Sequence, residues 1–282
     1  MLTAPSLFDY HAFAHAALFS PDEPAWSALA RLRSYMESYH YPLRLPAELT
    51  TGVPVPASVV IHQGCILPTA GLAIDWGDTT KGGLLIRRGD TILEGAVVIM
   101  AGAILVGDRI EIGAGSLVEG GATIKAPTII GARTEVRHGA YLRGQCLIGD
   151  RCVVGHATEV KHSIFLDDAK AGHFAYLGDS ILGNDTNLGA GTKCANLKFL
   201  PGTIQLVMDN ELVDTGLRKL GAILGDRTQT GCNSVTNPGT IIGRQSVLMP
   251  NTTAPSGFHP AGQRIRTGLR SVVAHNVNLT KE

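Results

Sequence analysis

Between Met100 and Leu166 the chain repeats itself every six residues. Met100, Val106, Ile112, Val118, Ile124, Ile130, Val136, Leu142, Ile148, Val154, Val160 and Leu166 are all apolar, and all after Met100 are aliphatic. Four residues beyond successive members stand Ser116, Ala122, Thr128, Thr134, Ala140, Cys146, Cys152 and Thr158, all small. A period of six fits neither a helix near 3.6 nor a single strand of period two. It marks a chain wound as a solenoid of short strands, a hexapeptide β-helix. Gly107, Gly113, Gly131, Gly149 and Gly155 directly follow ladder residues. That placement predicts glycine at corners whose backbone angles a Cβ forbids.

The pattern resembles the hexapeptide acyltransferases. The resemblance implies an all-β solenoid, a left-handed parallel β-helix, with three hexads to a triangular coil of about 18 residues. Residues eighteen apart then stack roughly 4.8 Å apart. Lys125, Arg143 and Lys161 form one such column, each just after a ladder residue. Stacked cations repel unless solvent or an anion offsets them. The column reads either as a solvated basic edge or as a phosphate site, which Arg meets with its fork and Lys with a point charge.

Composition narrows the class. The 282 residues carry 24 Lys+Arg and 24 Asp+Glu, a formal net charge of zero. Nothing in that balance argues for nucleic acid or a membrane surface. The five cysteines show no paired spacing, and Cys146 and Cys152 occupy the small position, so they read as buried thiols rather than a disulfide or metal site. The longest run without Asp, Glu, Lys or Arg, Leu49 to Ile74, is broken by Pro54, Pro56 and Pro68, with His62 and Gln63 at its middle. That is not a membrane helix. No secretion signal opens the sequence. The expectation is a soluble protein of the reducing cytoplasm.

Residues 1–56 lie outside the hexad and read as an α-helical segment with a linker. Ser20-Pro21-Asp22-Glu23 has the form of a helix start, with Ser as N-cap, Pro next and Glu at the capping-box position. Trp26, Leu29, Leu32 and Met36 follow at helical spacing, and Leu7 to Leu18 suggests an earlier helix. The β-helix is expected over 57–253, its first part as imperfect coils. Gly172 is the next hexad member after Leu166, so the ladder is expected to slip over Asp167 to Asp179. It resumes at Leu182, Leu188, Leu224, Thr230, Thr236, Ile242 and Leu248. A hairpin insertion at about 199–217 is expected to turn at Asp209-Asn210. From 254 to 282 an irregular cap is expected, with Arg264, Arg266 and Arg270.

Polar singularities gather between Glu159 and Lys219. They include Glu159-Val160-Lys161, Lys170-Ala171-Gly172-His173, Tyr176-Leu177-Gly178-Asp179, Asn187-Leu188-Gly189-Ala190-Gly191-Thr192, Asn196 and Arg218-Lys219. With Leu142-Arg143, these motifs resemble the acetyltransferase domain of bacterial bifunctional N-acetylglucosamine-1-phosphate uridyltransferase/glucosamine-1-phosphate N-acetyltransferases. They also resemble archaeal sugar-1-phosphate nucleotidyltransferases that carry this domain. The likeness spans roughly residues 95 to 252. It implies N-acetyl transfer from acetyl-CoA to an amino-sugar phosphate, as in UDP-N-acetylglucosamine biosynthesis, by a homotrimer. His173 would be the general base, since a His near neutrality suits proton transfer from an amine. Glu159 would help orient that amine. Arg143, Lys161 and Lys219 would hold the phosphate, and Tyr176 and Asn187 the sugar. Ala190, Asn196 and Cys232 would contact acetyl-CoA, with a main-chain N–H near Ala190 facing the developing oxyanion. No metal is implied.

Departures from that pattern keep other readings open. Leu197 stands where bacterial members have Tyr, and Pro250 where a small residue offers its N–H to CoA; Pro has none. No nucleotide-cradling Gly-rich loop precedes the solenoid, so uridylyl transfer is not expected. A non-catalytic sugar-phosphate-binding or assembly protein is one alternative. A γ-type carbonic anhydrase is another, since His138, His156 and His162 are potential zinc ligands. His156 and His162 are six apart, however, and that family uses five.

Overall fold

From Val97 onward the chain winds as a parallel β-solenoid with three faces. This computed structural model describes residues 2–208 and 211–268. Each coil places one strand on each face in turn. The first face carries Leu117–Val118, Glu135–Val136, Val153–His156, Lys170–His173 and Asn187–Leu188. The second carries Thr123–Lys125, Tyr141–Leu142, Glu159–Lys161, Tyr176–Gly178 and Lys193–Cys194. The third carries Ile110–Ile112, Thr128–Ile130, Cys146–Ile148, Ser163–Phe165, Ile181–Leu182 and Ala222–Leu224.

The ladder lines the interior. Ile112, Ile130 and Ile148 pair in succession on the third face, Val118, Val136 and Val154 on the first, and Ile124, Leu142 and Val160 on the second. All nine are buried in one core. Residues at the small position are buried too, and several link coils through their side chains. Thr134 is an example: its N–H donates to Ser116 Oγ at 2.9 Å and its Oγ1 donates to Gly149 O at 2.8 Å. Cys146 and Cys152 are free and buried, and burial pushes the Cys146 thiol up to about 12.

At its ends the ladder departs from the strict period. Val118 pairs with Ile99 and Ile124 with Leu105, so Ile99 and Leu105 fill the core in place of Met100 and Val106. Farther on, Ile148 pairs with Phe165 and Val154 with Ala171. The coil is one residue short between Val160 and Phe165. The slip therefore precedes Leu166, and Ala171 rather than Gly172 continues the ladder. Leu166 points outward, into a different apolar cluster.

Among the glycines after ladder residues, Gly107 has the expected positive φ, 92°, and the others do not; after Gly131, Gly149 and Gly155 positive φ falls two residues later, on Arg133 (52°), Arg151 (55°) and Ala157 (50°). Gly113 and Gly155 are instead required by close approach between coils. A Cβ on Gly113 would lie 2.4 Å from the Gly131 carbonyl carbon, and one on Gly155 1.8 Å from Gly172 O.

The stretch before Val97 does not coil. Thr51–Pro54 pairs antiparallel with Ile104–Val106, and Val59–His62 antiparallel with Cys65–Pro68 and Val97–Ile99. Ala73–Trp76, Leu84–Arg88 and Thr91–Ile92 form a small antiparallel sheet. Its Leu84 and Ile86 join Leu93, Val98 and Leu117 in a core outside the first face. At the other end, coiling runs past 254: Ile242 pairs with His259 and Leu248 with Ile265. The insertion is a hairpin of Gln205–Met208 and Glu211–Asp214. Asp209, Asn210 and Arg270 lie outside the described residues.

The third face is apolar on both sides. Ile129, Leu147, Ile164, Ile181, Ile223 and Ile241 point away from the coil and are buried against Leu7, Phe8, Leu18, Trp26, Leu29, Leu32 and Met36. The amino-terminal segment is thus a cover for this face, with shorter helices than expected. Only Ala4–Leu7 and Ser27–Ser38 are α-helical, with a 3-10 turn at Ala16–Leu18. Pro24 delays the second helix, because a proline disfavours helical angles in the residue before it. Pro24 bridges to Thr3 instead.

Candidate active site

The corner between the first and second faces collects the residues on which chemistry was expected. His173 ends a first-face strand there, in register with His156 of the preceding coil. His138, His156, His173, Ala190, Cys232 and Pro250 occupy the same corner position on successive coils. His173 is exposed. Gly191 N–H donates to His173 O at 3.0 Å, and Asn233 N–H to Ala190 O at 2.8 Å. Among the described residues, the N–H groups of Ala190 and Cys232 find no acceptor. They lie one and two coils beyond His173.

Around that corner, the second face presents a polar row. Tyr141, Glu159, Tyr176 and Lys193 pair on consecutive coils, all pointing outward. Register confirms the column of Lys125, Arg143 and Lys161, and each cation already has a neighbour. Lys125 Nζ lies 5.2 Å from the Tyr141 ring centroid, Arg143 Nη1 donates to Glu159 Oε1 at 2.7 Å, and Lys161 Nζ lies 3.2 Å from Asp179 Oδ2. The bond to Glu159 holds the Arg143 guanidinium above its ordinary range.

Asp179, quoted in the sequence only as the end of a motif, is the hub at the far edge of this face. It is buried, and it accepts from Lys161, from His162 Nδ1 at 2.8 Å and from Asn196 Nδ2. Burial alone would raise its pKa, but the His162, Asn196 and Lys161 contacts outweigh burial and hold it low. Tyr176 Oη lies 3.4 Å from Asn196 Oδ1. Burial first, then the Glu159 charge, pushes the Tyr176 phenol up. Sequence spacing could not reveal Asp179, because its partners meet only across a corner.

Two expected residues stand apart. Asn187 lies on the first face, in register with Lys170, three residues along the strand from the His173 corner. Lys219 is exposed where the insertion rejoins the coil: Leu220 N–H donates to Asn196 O at 3.1 Å and Gly221 N–H to Asp179 O at 2.8 Å. The expected residues therefore spread over two faces and both edges of the second face.

The zinc alternative loses its geometry. His138 and His156 stack with centroids 5.7 Å apart and planes at 12°. Each Nδ1 meets a carbonyl, Gly120 O at 2.6 Å and His138 O at 2.9 Å. His162 sits at the opposite edge, on Asp179.

Known proteins share this part of the chain. Residues 124–254 match the family model described as the GMPPB C-terminal domain. Over 88 residues the chain is 36% identical to the bifunctional sugar-1-phosphate nucleotidylyltransferase/acetyltransferase of Sulfurisphaera tokodaii, covering 31% of this chain and 22% of that protein. Over 89 residues it is 39% identical to the bifunctional protein GlmU of Methanococcus maripaludis, covering 32% and 21%. The resemblance to these bifunctional sugar-1-phosphate proteins is borne out. The chain spans about a fifth of the length of the curated relatives it matches. A solved UDP-N-acetylglucosamine acyltransferase of Francisella novicida overlaps 59% of this chain and 63% of that one at 13% identity and a TM-score of 0.31, too distant to carry roles across. Among the described residues no helix is long and apolar enough to cross a membrane.

Proposed function

We propose that this protein is an acyltransferase that acetylates the amine of an amino-sugar phosphate, with glucosamine 1-phosphate as the leading acceptor and acetyl-CoA as the second substrate. One observation carries the reading. A solvent-facing His173 and the unpartnered Ala190 N–H stand one coil apart on the same corner, beside a second face with cations at Arg143 and Lys161.

His173 takes a proton from the acceptor amine, freeing the lone pair that attacks the thioester carbon. Charge develops on the carbonyl oxygen, where the Ala190 N–H donates. His173 passes this first proton to solvent; as the carbon–sulfur bond breaks and the amide forms, it takes the second N–H proton and hands it to the departing thiolate. Arg143, Lys161 and Lys219 meet the acceptor phosphate by charge-assisted bonds, and Tyr176 and Asn187 hold the sugar. Glu159 keeps Arg143 in place and faces the amine. Asn196 and Cys232 extend the acetyl-CoA wall. Asn187 and Tyr176 lie on different faces, so a site using both needs a second copy of the chain. That favours a homotrimer. A sedimentation mass of one chain at micromolar concentration would remove the shared site.

The test is release of CoA thiol when acetyl-CoA is mixed with amino-sugar phosphates. Thiol release that requires the acceptor supports the reading; none with any amino-sugar 1-phosphate overturns it. Pro250 favours a second reading, sugar-phosphate binding without catalysis, because its corner position lacks the N–H present at Ala190 and Cys232. Failure to bind acetyl-CoA while binding the sugar phosphate would select that one.

A further inference from the structure

A second cavity, of about 680 Å³, opens between the small antiparallel sheet and the first face. Its volume lies in the range of small-molecule sites. Trp76, Met100, Leu117, Glu119, Glu135 and His138 line it, and none of them belongs to the acceptor site proposed above.

Three features fix what it would take. The Trp76 indole is 57% exposed, whereas the chain's other tryptophan, Trp26, is 5% exposed. A bare indole on a cavity wall forfeits the burial that aromatic rings ordinarily gain. It offers an apolar, electron-rich face to the C–H side of a sugar ring or to a cation. Second, the charged groups on the wall are carboxylates, Glu119 and Glu135. Glu119 Oε2 accepts the His138 N–H at 2.7 Å, and its other oxygen has no partner among the described residues. The His138 ring is held by Gly120 O at 2.6 Å, which fixes Nδ1 as a donor. Gly121 makes room for that ring, since a Cβ there would come within 2.7 Å of it. Third, the nearby cation is spent. Arg137 donates to Glu135 Oε2 from Nε at 3.1 Å and from Nη2 at 2.8 Å.

A wall with two carboxylates and an indole, and no free cation among the described residues, rejects phosphate and favours a cationic donor. We infer that this cavity binds a phosphate-free amino sugar, its ring on Trp76 and its ammonium against Glu119. The site is chemically the inverse of the cationic second face.

Glucosamine titrated into the full chain, with the acceptor site saturated by glucosamine 1-phosphate, tests this. Saturable changes in tryptophan emission and in heat are expected, because Trp76 lines the cavity. Trp76→Phe should abolish the emission change and keep the heat, while Trp76→Ala should abolish both. Glu119→Gln should weaken binding about tenfold, the loss of one charge-assisted contact, and N-acetylglucosamine, lacking the ammonium, should bind similarly weakly. The inference is overturned if folded wild type gives no saturable response up to tens of millimolar glucosamine. A response that persists in Trp76→Ala, or is displaced by more glucosamine 1-phosphate, overturns it as well.

Discussion

The second and third faces share one interior ladder and have opposite exteriors. Outward positions on the third face are Ile129, Leu147, Ile164, Ile181, Ile223 and Ile241, buried under residues from the first forty of the chain. On the second face the equivalent row is Tyr141, Glu159, Tyr176 and Lys193, which nothing among the described residues covers as a whole. Inner positions are the same in kind on both and make the coil. Outer positions decide whether a face is closed by its own chain or left for a ligand or another copy. Changes on the second face should therefore alter turnover or substrate binding and spare stability, and changes on the third should do the reverse.

The largest expected effect is on the corner that borders the second face. His173→Ala should cut the rate constant by about two to four orders of magnitude, the range for loss of a general acid–base group. Acetyl-CoA affinity should change little, since the imidazole acts on the acceptor amine. His173 is exposed, so its loss opens no cavity. Near-normal turnover in a correctly folded variant, checked by circular dichroism, would remove the catalytic role and blur the contrast between the faces.

On the third face, Leu147→Ala deletes a fully buried side chain between coil and cover. A loss of about 2–5 kcal/mol is expected in denaturant unfolding. Turnover per folded molecule should stay near wild type. A turnover defect at full folding would mean that the cover reaches the active corner.

The cover also contains a titrating group. His15 is 7% exposed, its Nδ1 is 2.7 Å from Tyr35 Oη, and Phe13, Tyr35 and Tyr39 surround it edge-on. Burial lowers its pKa to about 4, against a smaller opposing pull from Asp150. Unfolded, His15 takes up its proton near 6.5; folded, only near 4. Its neutral burial therefore costs nothing above pH 6.5, and stability is lost progressively as pH falls from 6.5 to about 4. The loss amounts to about 3 kcal/mol. His15→Phe should flatten that part of the stability–pH curve, and an unchanged curve would place the acid sensitivity elsewhere.

How much of this contrast could be read in advance depends on which side of the strand carried it. The interior was legible from Ile112 to Val160, because inward residues obey one period and nothing else competes. At the ends it was not. Phe165 and Leu166 are both apolar, since one faces the core and the other the cover, so spacing alone could not say which belonged to the ladder. The cover was legible only in part: Trp26, Leu29, Leu32 and Met36 keep a helical period, while residues 8–25 follow the contours of a flat face with only a short 3-10 turn at Ala16–Leu18. At the site, His173, Arg143 and Lys161 were visible through motifs. Asp179 was not, since Lys161, His162 and Asn196 converge on it only after the chain turns two corners. The corner donors at Ala190 and Cys232 are backbone groups, named in advance only through the resemblance, since no side-chain pattern reports them.

The smallest effect is the finest test of the second face. Arg143 is an exposed residue bonded to Glu159 at 2.7 Å. As a surface ion pair alone it would contribute about 0–1 kcal/mol to stability and nothing to catalysis. As a phosphate ligand it should bear on acceptor KM. Arg143→Ala is expected to raise that KM about tenfold, the loss of one charge-assisted contact discounted for exposure, with kcat nearly unchanged. Arg143→Lys keeps the charge and loses the fork, so it should fall between the two. Glu159→Gln separates the readings further. It breaks the same ion pair while leaving the guanidinium, so a surface-pair role predicts equal effects from either partner. A phosphate role predicts a larger KM change from Arg143→Ala. Equal and small changes from both would return the column of Lys125, Arg143 and Lys161 to a solvated edge.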